Sequence, residues 1–456
     1  MKVSFQTYRY QFLFCLIILS RIFLYVSYAE DIDSLRFALS VIDEFDISKN
    51  QPHFPAYPIF AFFVKIIYFV VQNSGLSFAI VGSIGVFLVA YSALEINKIY
   101  SWVKEEWLLS LPILLSPLFF LMSTRYMADA LGLGVLTISC LWYLKAMKNG
   151  SYEKYFFIGA VILAGVRLSF VPLLFVPALI LFFNSKNKLS NIGFGLAALA
   201  SWLIPLIVTT GWNELIDLAL FGTNGHFNEW GGSIKTDPHY GLRLLRMFQF
   251  VWSDGLGLWW FDRSFTWIPS SLIFVIATYK GFKTTSTKEI KYLIAGFVVY
   301  ALWAYFYQNV LYKPRHILPL ILPFLILFGI GISKLNKPLK NGLLIVFLLS
   351  QTYLTFNLAR QHQDKNALAK ACDYVISQAQ ENDIVSSNNL IAYFLGQFDA
   401  QDLYFLLPSD LPENNTGRII TIGEVLPDKT LIEEKKFYHN PYVNRMWYEV
   451  VVRIYE

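Results

Sequence analysis

Two aspartates with one residue between them, Asp31 and Asp33, follow directly after the first apolar run of the chain, 11–28. Carboxylates at this spacing can share a divalent ion, or one can act as a general base while the other orients it. Acidic loops contain the same pattern often, so on its own it fits solvated surface charges equally well. Only cationic partners elsewhere in the chain would turn it into a site.

The segment MSTRYMADALGLG (122–134) offers one such partner. Arg125 and Asp129 are four residues apart and would lie on one face of a helix. They could form a plain ion pair on the helix surface. Alternatively, Arg125 could bind a phosphate while Asp129 orients it.

The segment LYKPRHILPLILPF (311–324) offers further cations. Lys313, Arg315 and His316 stand just before an apolar run. They could anchor the chain at the membrane interface, or they could bind an anionic lipid headgroup or a substrate phosphate. Together with the acidic pair, they favour a substrate that carries a phosphate and reaches the site from the bilayer.

The composition is that of a membrane protein. The 456 residues are 55% hydrophobic and only 15% charged, whereas soluble proteins carry about 25% charged residues. The net charge of +5 is accounted for by lysines at the membrane surface, so no nucleic-acid partner is expected. The three cysteines lie far apart and predict neither a disulfide framework nor a metal site.

Apolar stretches near membrane-spanning length recur along the chain and predict a polytopic α-helical protein with about 11 transmembrane helices. Their approximate positions are 10–28, 76–97, 107–122, 128–147, 154–170, 171–184, 190–209, 266–281, 290–309, 317–333 and 341–358. Arg167 lies between two short halves of one apolar region, which predicts a broken helix that lines a cavity or the interface.

The lysine bias of the loops sets the expected topology. If 55–72 is a juxtamembrane or re-entrant helix rather than a span, most lysine-rich loops fall on the cytoplasmic side, with the N-terminus inside and the C-terminus outside. Asp31, Arg125 and Arg315 then share the external face. We expect the first apolar run to remain as a membrane segment rather than to be cleaved as a signal peptide, because Arg21 interrupts it.

Two regions follow from this pattern. Residues 1–358 form a membrane domain, with a first external loop at 29–75 and a long, tryptophan-rich external loop at 210–265. Residues 359–456 are more polar and predict a small external α/β domain. Within it, NALAKACDYVISQAQ has helical spacing, and DIVSSN, LYFLL, RIITIGEV and YEVVVRIY are typical of strands.

The sequence resembles the GT-C superfamily of integral-membrane glycosyltransferases, which use polyprenyl- or dolichyl-phosphate sugars. The matching elements occur in the expected order: the acidic pair Asp31 and Asp33 after the first span, Phe37-Ala38, QPHFPAYP (51–58) and RHILPLILP (315–323). DIDSLRFA and STRYMAD (123–129) are also similar to the mannosyltransferase that adds the first mannose of GPI anchors. The likeness covers the membrane domain, while the polar C-terminal region is more like bacterial GT-C proteins with a periplasmic domain.

The resemblance implies an inverting hexosyl transfer, with mannose favoured, from a polyprenyl-phosphate sugar to a lipid, glycan or protein acceptor. One of Asp31 and Asp33 would be the base, and the pair could bind a divalent ion such as Mg²⁺ or Mn²⁺. The phosphate and sugar would contact Arg315, His316, Lys313, Arg125, Asp129 and His53.

Two further interpretations stay open at the level of sequence. A lipid or lipid-linked-sugar transporter would also use broken helices and cations in a cavity, but it usually shows related halves, which are not visible in this sequence. If the protein were a membrane scaffold, the acidic and cationic motifs would have no function and would occur by chance. A bacterial inner membrane with a periplasmic C-terminus is expected, with the endoplasmic reticulum as the alternative.

Overall fold

The structure, a computed structural model, describes residues 5–285, 287–380, 382–396, 404–406, 411 and 417–456. The helices of the N-terminal part are α1 (Phe5–Ile22), α2 (Ile32–Ile42), α3 (Pro58–Val71), α4 (Ser74–Tyr100), α5 (Trp107–Leu114), α6 (Pro117–Thr124), α7 (Asp129–Lys148), α8 (Glu153–Arg167), α9 (Phe175–Asn184) and α10 (Lys188–Thr210). The remaining helices are α11 (Trp212–Asn224), α12 (Tyr240–Gln249), α13 (Ile268–Phe282), α14 (Lys288–Tyr307), α15 (Leu318–Ser333), α16 (Lys337–Gln363), α17 (Ala367–Gln378) and α18 (Asn389–Gly396).

The chain is a polytopic helical membrane protein. Among the described residues, seven helical stretches are long and apolar enough to cross a membrane, or eight if α5 and α6, which meet at 64°, form one bent span. The sequence predicted about 11 spans. The difference arises because α1 and α13 fall outside this group and because the predicted spans 154–170 and 171–184 lie in one stretch, Gly150–Asn184.

A predicted break at Arg167 is present in this stretch. Helix α8 ends at Arg167, a 3-10 turn follows over Leu168–Leu174, and α9 begins at Phe175. Pro172 lies inside the 3-10 turn and cannot donate a backbone hydrogen bond, which explains why a regular helix does not continue. The segment predicted to be juxtamembrane forms α3, which has only 14 residues.

Glycines allow α4 and α7 to pack with their backbones in contact. A Cβ atom on Gly85 would lie 2.2 Å from the carbonyl oxygen of Ala130, and one on Gly134 would lie 2.7 Å from the carbonyl oxygen of Gly85. Small residues at such crossings are typical of helix packing in membranes. The contact fixes the N-terminal end of α7, where Asp129 lies.

The C-terminal region contains a five-stranded mixed sheet. Its strands are β1 (Ile384–Ser386), β2 (Tyr404–Leu406), β3 (Ile419–Ile422), β4 (Leu431–Tyr438) and β5 (Glu449–Tyr455), in the spatial order β2-β1-β3-β5-β4. Strand β1 runs parallel to β2 and β3, whereas β5 is antiparallel to β3 and β4. The predicted strands correspond to β1, β2, β3 and β5, and the predicted helix corresponds to α17.

Helix α2 joins the two regions. Ile32 and Leu35 are buried in the same apolar cluster as α17 and the sheet. Phe37 and Val41, from the other side of the helix, are buried in a cluster of the membrane domain that includes Tyr57. Apolar residues at this spacing lie on two faces of a helix, so both regions hold α2 and the acidic residues at its start.

Candidate active site

Asp31 caps the N-terminus of α2. Its backbone is extended, and its side chain accepts a hydrogen bond from the backbone N–H of Ser34 at 2.9 Å. Aspartate is among the residues preferred at this position because the first helical N–H groups lack partners within the helix. Asp31 is buried, with 5% of its surface exposed, yet it lines a cleft described below.

Asp33 lies one residue further along, in the first turn of α2, and binds two cations through one oxygen. Lys313 Nζ lies 2.9 Å and Arg315 Nη2 lies 2.6 Å from Asp33 Oδ2. Burial raises the pKa of Asp33, but Lys313, Arg315 and His53 outweigh that effect and hold the pKa well below its usual range. The carboxylate is therefore a fixed negative charge beside these cations.

The sequence places both cations at a stiff turn. Pro314 begins a short 3-10 turn, Pro314–Ile317, and α15 follows with a proline in its first turn. Proline fixes its own φ angle and suits the first turn of a helix. Lys313 and Arg315 are thereby held just before a membrane helix, as the motif predicted.

Arg125 pairs with Glu30, not with Asp129. Arg125 Nε and Nη2 both donate to the Glu30 carboxylate, and Nη2 also donates to the carbonyl oxygen of Val443 at 3.2 Å. His362 Nε2 lies 2.9 Å from Glu30 Oε1. Burial raises the pKa of Glu30, but Arg125 and His362 more than offset this and lower it to about 2.

The predicted pairing of Arg125 with Asp129 is wrong because the two residues do not share a helix. Helix α6 ends at Thr124 and α7 begins at Asp129, with non-helical backbone at Arg125. Asp129 is fully buried and instead lies 2.9 Å from Arg167 Nη2. Arg167 Nη1 donates to the hydroxyl of Tyr57 at 2.9 Å, so the charge at the broken helix has a partner.

Of the two predicted histidines, His53 is half-buried and His316 is buried. His53 packs edge-to-face against Phe37 and Tyr57, and burial, together with nearby cations and against the effect of Asp33, lowers its pKa to about 4. His316 is 8% exposed, and its carbonyl oxygen accepts a hydrogen bond from Tyr300 at 2.7 Å. Each has an Nδ1 atom that is buried without a hydrogen-bond partner among the described residues.

Four of the eight predicted site residues line one cleft, namely Asp31, Arg125, Lys313 and Arg315. Asp33 lies behind it, bonded to Lys313 and Arg315. His53, Asp129 and His316 do not line it. Thus a carboxylate and three cations, from segments far apart in the sequence, face a common space.

The C-terminal region forms another wall of this cleft. The loop between β4 and β5 contributes Tyr442, Val443, Asn444, Arg445 and Met446 to the lining. Sequence reasoning did not select any of them, nor did it select Glu30 and His362. Glu30 is the residue before Asp31, but residue spacing alone cannot reveal that its partner is Arg125, 95 positions away.

The predicted metal site at Asp31 and Asp33 has a poor set of ligands for a divalent ion. Within the part of the chain that the structure describes, no group of three or more His, Cys, Asp or Glu side chains could hold a metal ion. Asp33 Oδ2 is already bound by two cations, and Asp31 caps a helix. Mg²⁺ and Ca²⁺ need several oxygen ligands, which this pair does not supply.

Comparison with known proteins identifies the fold. No family model matches the chain, and no curated protein matches it significantly. The structure of ArnT from Cupriavidus metallidurans bound to undecaprenyl phosphate superposes with a TM-score of 0.55 at 9% sequence identity, over 99% of this chain and 98% of that one. ArnT from the same organism in the apo state gives 0.51 at 10% identity, over 98% of each chain.

At this level of identity, the likeness shows the fold and not the activity. It does not support the similarity to the mannosyltransferase of GPI anchors. The chain has an ArnT-like fold with a small C-terminal sheet domain.

Proposed function

We propose that this protein is a membrane glycosyltransferase that moves a hexose from a polyprenyl-phosphate sugar to an acceptor hydroxyl. The observation that carries the proposal is the cleft, which is lined by Asp31 together with Arg125, Lys313 and Arg315. A hydroxyl nucleophile needs a base, and a phosphate leaving group needs cations. The cleft brings both functions together.

The donor follows from the charge of the cleft and from its place in a membrane protein. Arginine binds phosphate oxygens through two parallel N–H groups, and lysine adds a point charge. A phosphate attached to a polyprenyl chain would be presented from the bilayer. The ArnT structure bound to undecaprenyl phosphate, which shares this fold, supports this class of lipid for the donor.

Asp31 is the proposed base. Its carboxylate accepts the proton of the acceptor hydroxyl while the acceptor oxygen attacks the anomeric carbon of the sugar. The bond between that carbon and the phosphate oxygen breaks, and polyprenyl phosphate leaves with the electron pair. Attack from the face opposite the phosphate inverts the configuration at the anomeric carbon.

Asp33 has a different role in this proposal. Because one of its oxygens binds both Lys313 and Arg315, it holds the two cations where the departing phosphate needs them. Such preorganised charges stabilise the negative charge that develops as the bond breaks, without reorganisation during the reaction. Glu30 does the same for Arg125. The mechanism does not use a metal ion.

His53, His316 and Asp129 do not line the cleft, so in this proposal the sugar would contact them only where it extends beyond that lining. The unpaired, buried Nδ1 atoms of His53 and His316 can bond to hydroxyl groups, because a buried polar atom gains from any partner that a ligand supplies. Mannose is the first sugar to test, and the acceptor is a lipid, a glycan or a protein. We place the reaction on the periplasmic face of a bacterial inner membrane.

The test is sugar transfer by the purified full-length protein. It would be incubated with undecaprenyl-phosphate mannose, glucose, galactose and an aminosugar, and release of undecaprenyl phosphate would be measured. One donor should be consumed by the wild type. Asp31→Asn should abolish its consumption, while Asp43→Asn, at an exposed position at the other end of α2, should not.

Two results would contradict the proposal. If the wild type consumed none of these donors in the presence of membrane lipid, glycan and protein acceptors, the proposed activity would be wrong. If Asp31→Asn and Asp43→Asn were equally active, the assignment of Asp31 as the base would be wrong.

A further inference from the structure

The loop between β4 and β5 brings one more arginine, Arg445, to the cleft. Its side chain is only 10% exposed. Nε and Nη2 donate to the two oxygens of Asp254, each at 2.9 Å. Nη1 lies 3.8 Å from Asp262, which is too far for a hydrogen bond. One edge of the guanidinium is therefore anchored, and the other is not.

Arg125 is anchored in the same way from the membrane domain. Its Nε and Nη2 atoms donate to the buried carboxylate of Glu30. Both arginines thus have the same edge held by an acidic residue of the membrane domain, and both line the same cleft. An arginine fixed at one edge by a carboxylate loses little freedom when its remaining donors bind an anion.

The loop that carries Arg445 is itself held in place. The ring of Tyr442 lies against two guanidinium groups, with Arg263 Cζ 3.8 Å and Arg445 Cζ 4.2 Å from its centroid. The hydroxyl groups of Tyr442 and Ser253 are hydrogen-bonded at 3.1 Å. Cation–π contacts of this kind are attractive, most strongly at sites shielded from water. Arg445 therefore has a defined position relative to Asp31.

We propose that Arg445 binds the phosphate of the lipid donor, so that the C-terminal domain supplies one wall and one charge of the active site. The inference rests on the proposed function, because the ligand is the donor phosphate. Arg445 and Arg125 each keep donors that no carboxylate engages at hydrogen-bond distance, and Lys313 and Arg315, which Asp33 holds in place, add two further cations to the same cleft. A phosphate between these two arginines would complete the pairing of both.

A purely structural role for Arg445 makes a different prediction. If the arginine only docked the loop through Asp254, its removal would weaken binding of all lipids that reach the cleft, charged or neutral. If it binds the phosphate, its removal weakens binding of the charged lipid alone. The ratio of the affinities for undecaprenyl phosphate and undecaprenol separates the two roles, because these lipids differ only in the phosphate.

The experiment measures both affinities on the full-length protein in nanodiscs. We expect Arg445→Gln to weaken binding of undecaprenyl phosphate about tenfold or more and to leave undecaprenol unchanged. Arg445→Lys, which keeps the charge, should recover part of the loss. Arg453→Gln is the matched control, because Arg453 also pairs with a carboxylate, Glu434 at 2.8 Å, but on the sheet away from the cleft.

Tyr442→Phe serves as the comparison for loop docking. It removes the hydroxyl contacts with Ser253 and Asp262 and takes no charged group away from the cleft. It should therefore change both affinities equally, if it changes them at all. An unchanged ratio in Arg445→Gln, or an equal change of the ratio in Tyr442→Phe, would overturn the inference. A wild type without preference for undecaprenyl phosphate would instead overturn the proposed function itself.

Discussion

Arg315 donates from Nη2 to Oδ2 of Asp33 at 2.6 Å, although 282 positions separate the two residues in the sequence. Lys313 donates to the same oxygen at 2.9 Å. Asp33→Asn removes the charge that both cations share. Loss of one member of a buried ion pair typically costs about 3–5 kcal/mol, so we expect a clear drop in the thermal unfolding midpoint in detergent. Asp43→Asn, at an exposed position, should leave the midpoint nearly unchanged, and equal midpoints for the two variants would contradict this role of Asp33.

Asp31→Asn should abolish sugar transfer and leave stability nearly unchanged. Asparagine caps a helix about as well as aspartate, so the hydrogen bond from Ser34 can be kept and the unfolding midpoint should change little. Asparagine cannot accept the proton of an acceptor hydroxyl, however. Sugar transfer should fall by about 100-fold or more, the usual contribution of a general base. A destabilised but active Asp31→Asn variant would exchange the roles that we assign to Asp31 and Asp33.

Much of the fold could be predicted because its signals are local. Apolar length marks the membrane helices, and alternation marks strands such as β3 and β5. Strand β4 was missed because LIEEKKFY, 431–438, carries four charges and is mostly exposed. Charged side chains are typical of an edge strand, where they discourage pairing with other molecules, so β4 lacks the pattern of a buried strand.

The site was predictable in its residue types and not in its pairings. Sequence reasoning found Asp31, Arg125 and Arg315, which line the cleft. It gave Arg125 the wrong partner, because a four-residue spacing indicates a contact only where the helix is continuous, and the helix is interrupted at Arg125. Arg445 could not be found, since nothing in the local sequence shows that a loop of the C-terminal domain reaches the membrane domain.

The stability that Glu30 contributes should disappear in acid. Its pKa is lowered from 4.5 to about 2 in the folded protein, so the contribution is fully present above about pH 4.5 and is lost as the pH falls to about 2. A shift of this size corresponds to about 3 kcal/mol. Glu30→Gln should therefore be less stable than the wild type at pH 7, and the difference should shrink over this range.

The measurement is the unfolding midpoint of both proteins between pH 7 and pH 2. Glu44→Gln provides the control, because Glu44 is exposed and pairs with Lys49 at the surface, where an ion pair contributes little. Its midpoint should stay close to that of the wild type at every pH. A constant difference between wild type and Glu30→Gln across the range would show that the pKa of Glu30 is not lowered by folding.

Two glycine substitutions should change stability in opposite directions. A Cβ on Gly85 would meet the backbone of α7 at Ala130, 2.2 Å from the carbonyl oxygen, so Gly85→Ala must push α4 and α7 apart next to Asp129. We expect a loss of about 2–3 kcal/mol. A Cβ on Gly193 in α10 meets nothing within 4 Å, and alanine favours a helix over glycine by about 1 kcal/mol. Unfolding midpoints should therefore fall for Gly85→Ala and hold or rise for Gly193→Ala, and shifts of the same sign and size would contradict the close packing of α4 on α7.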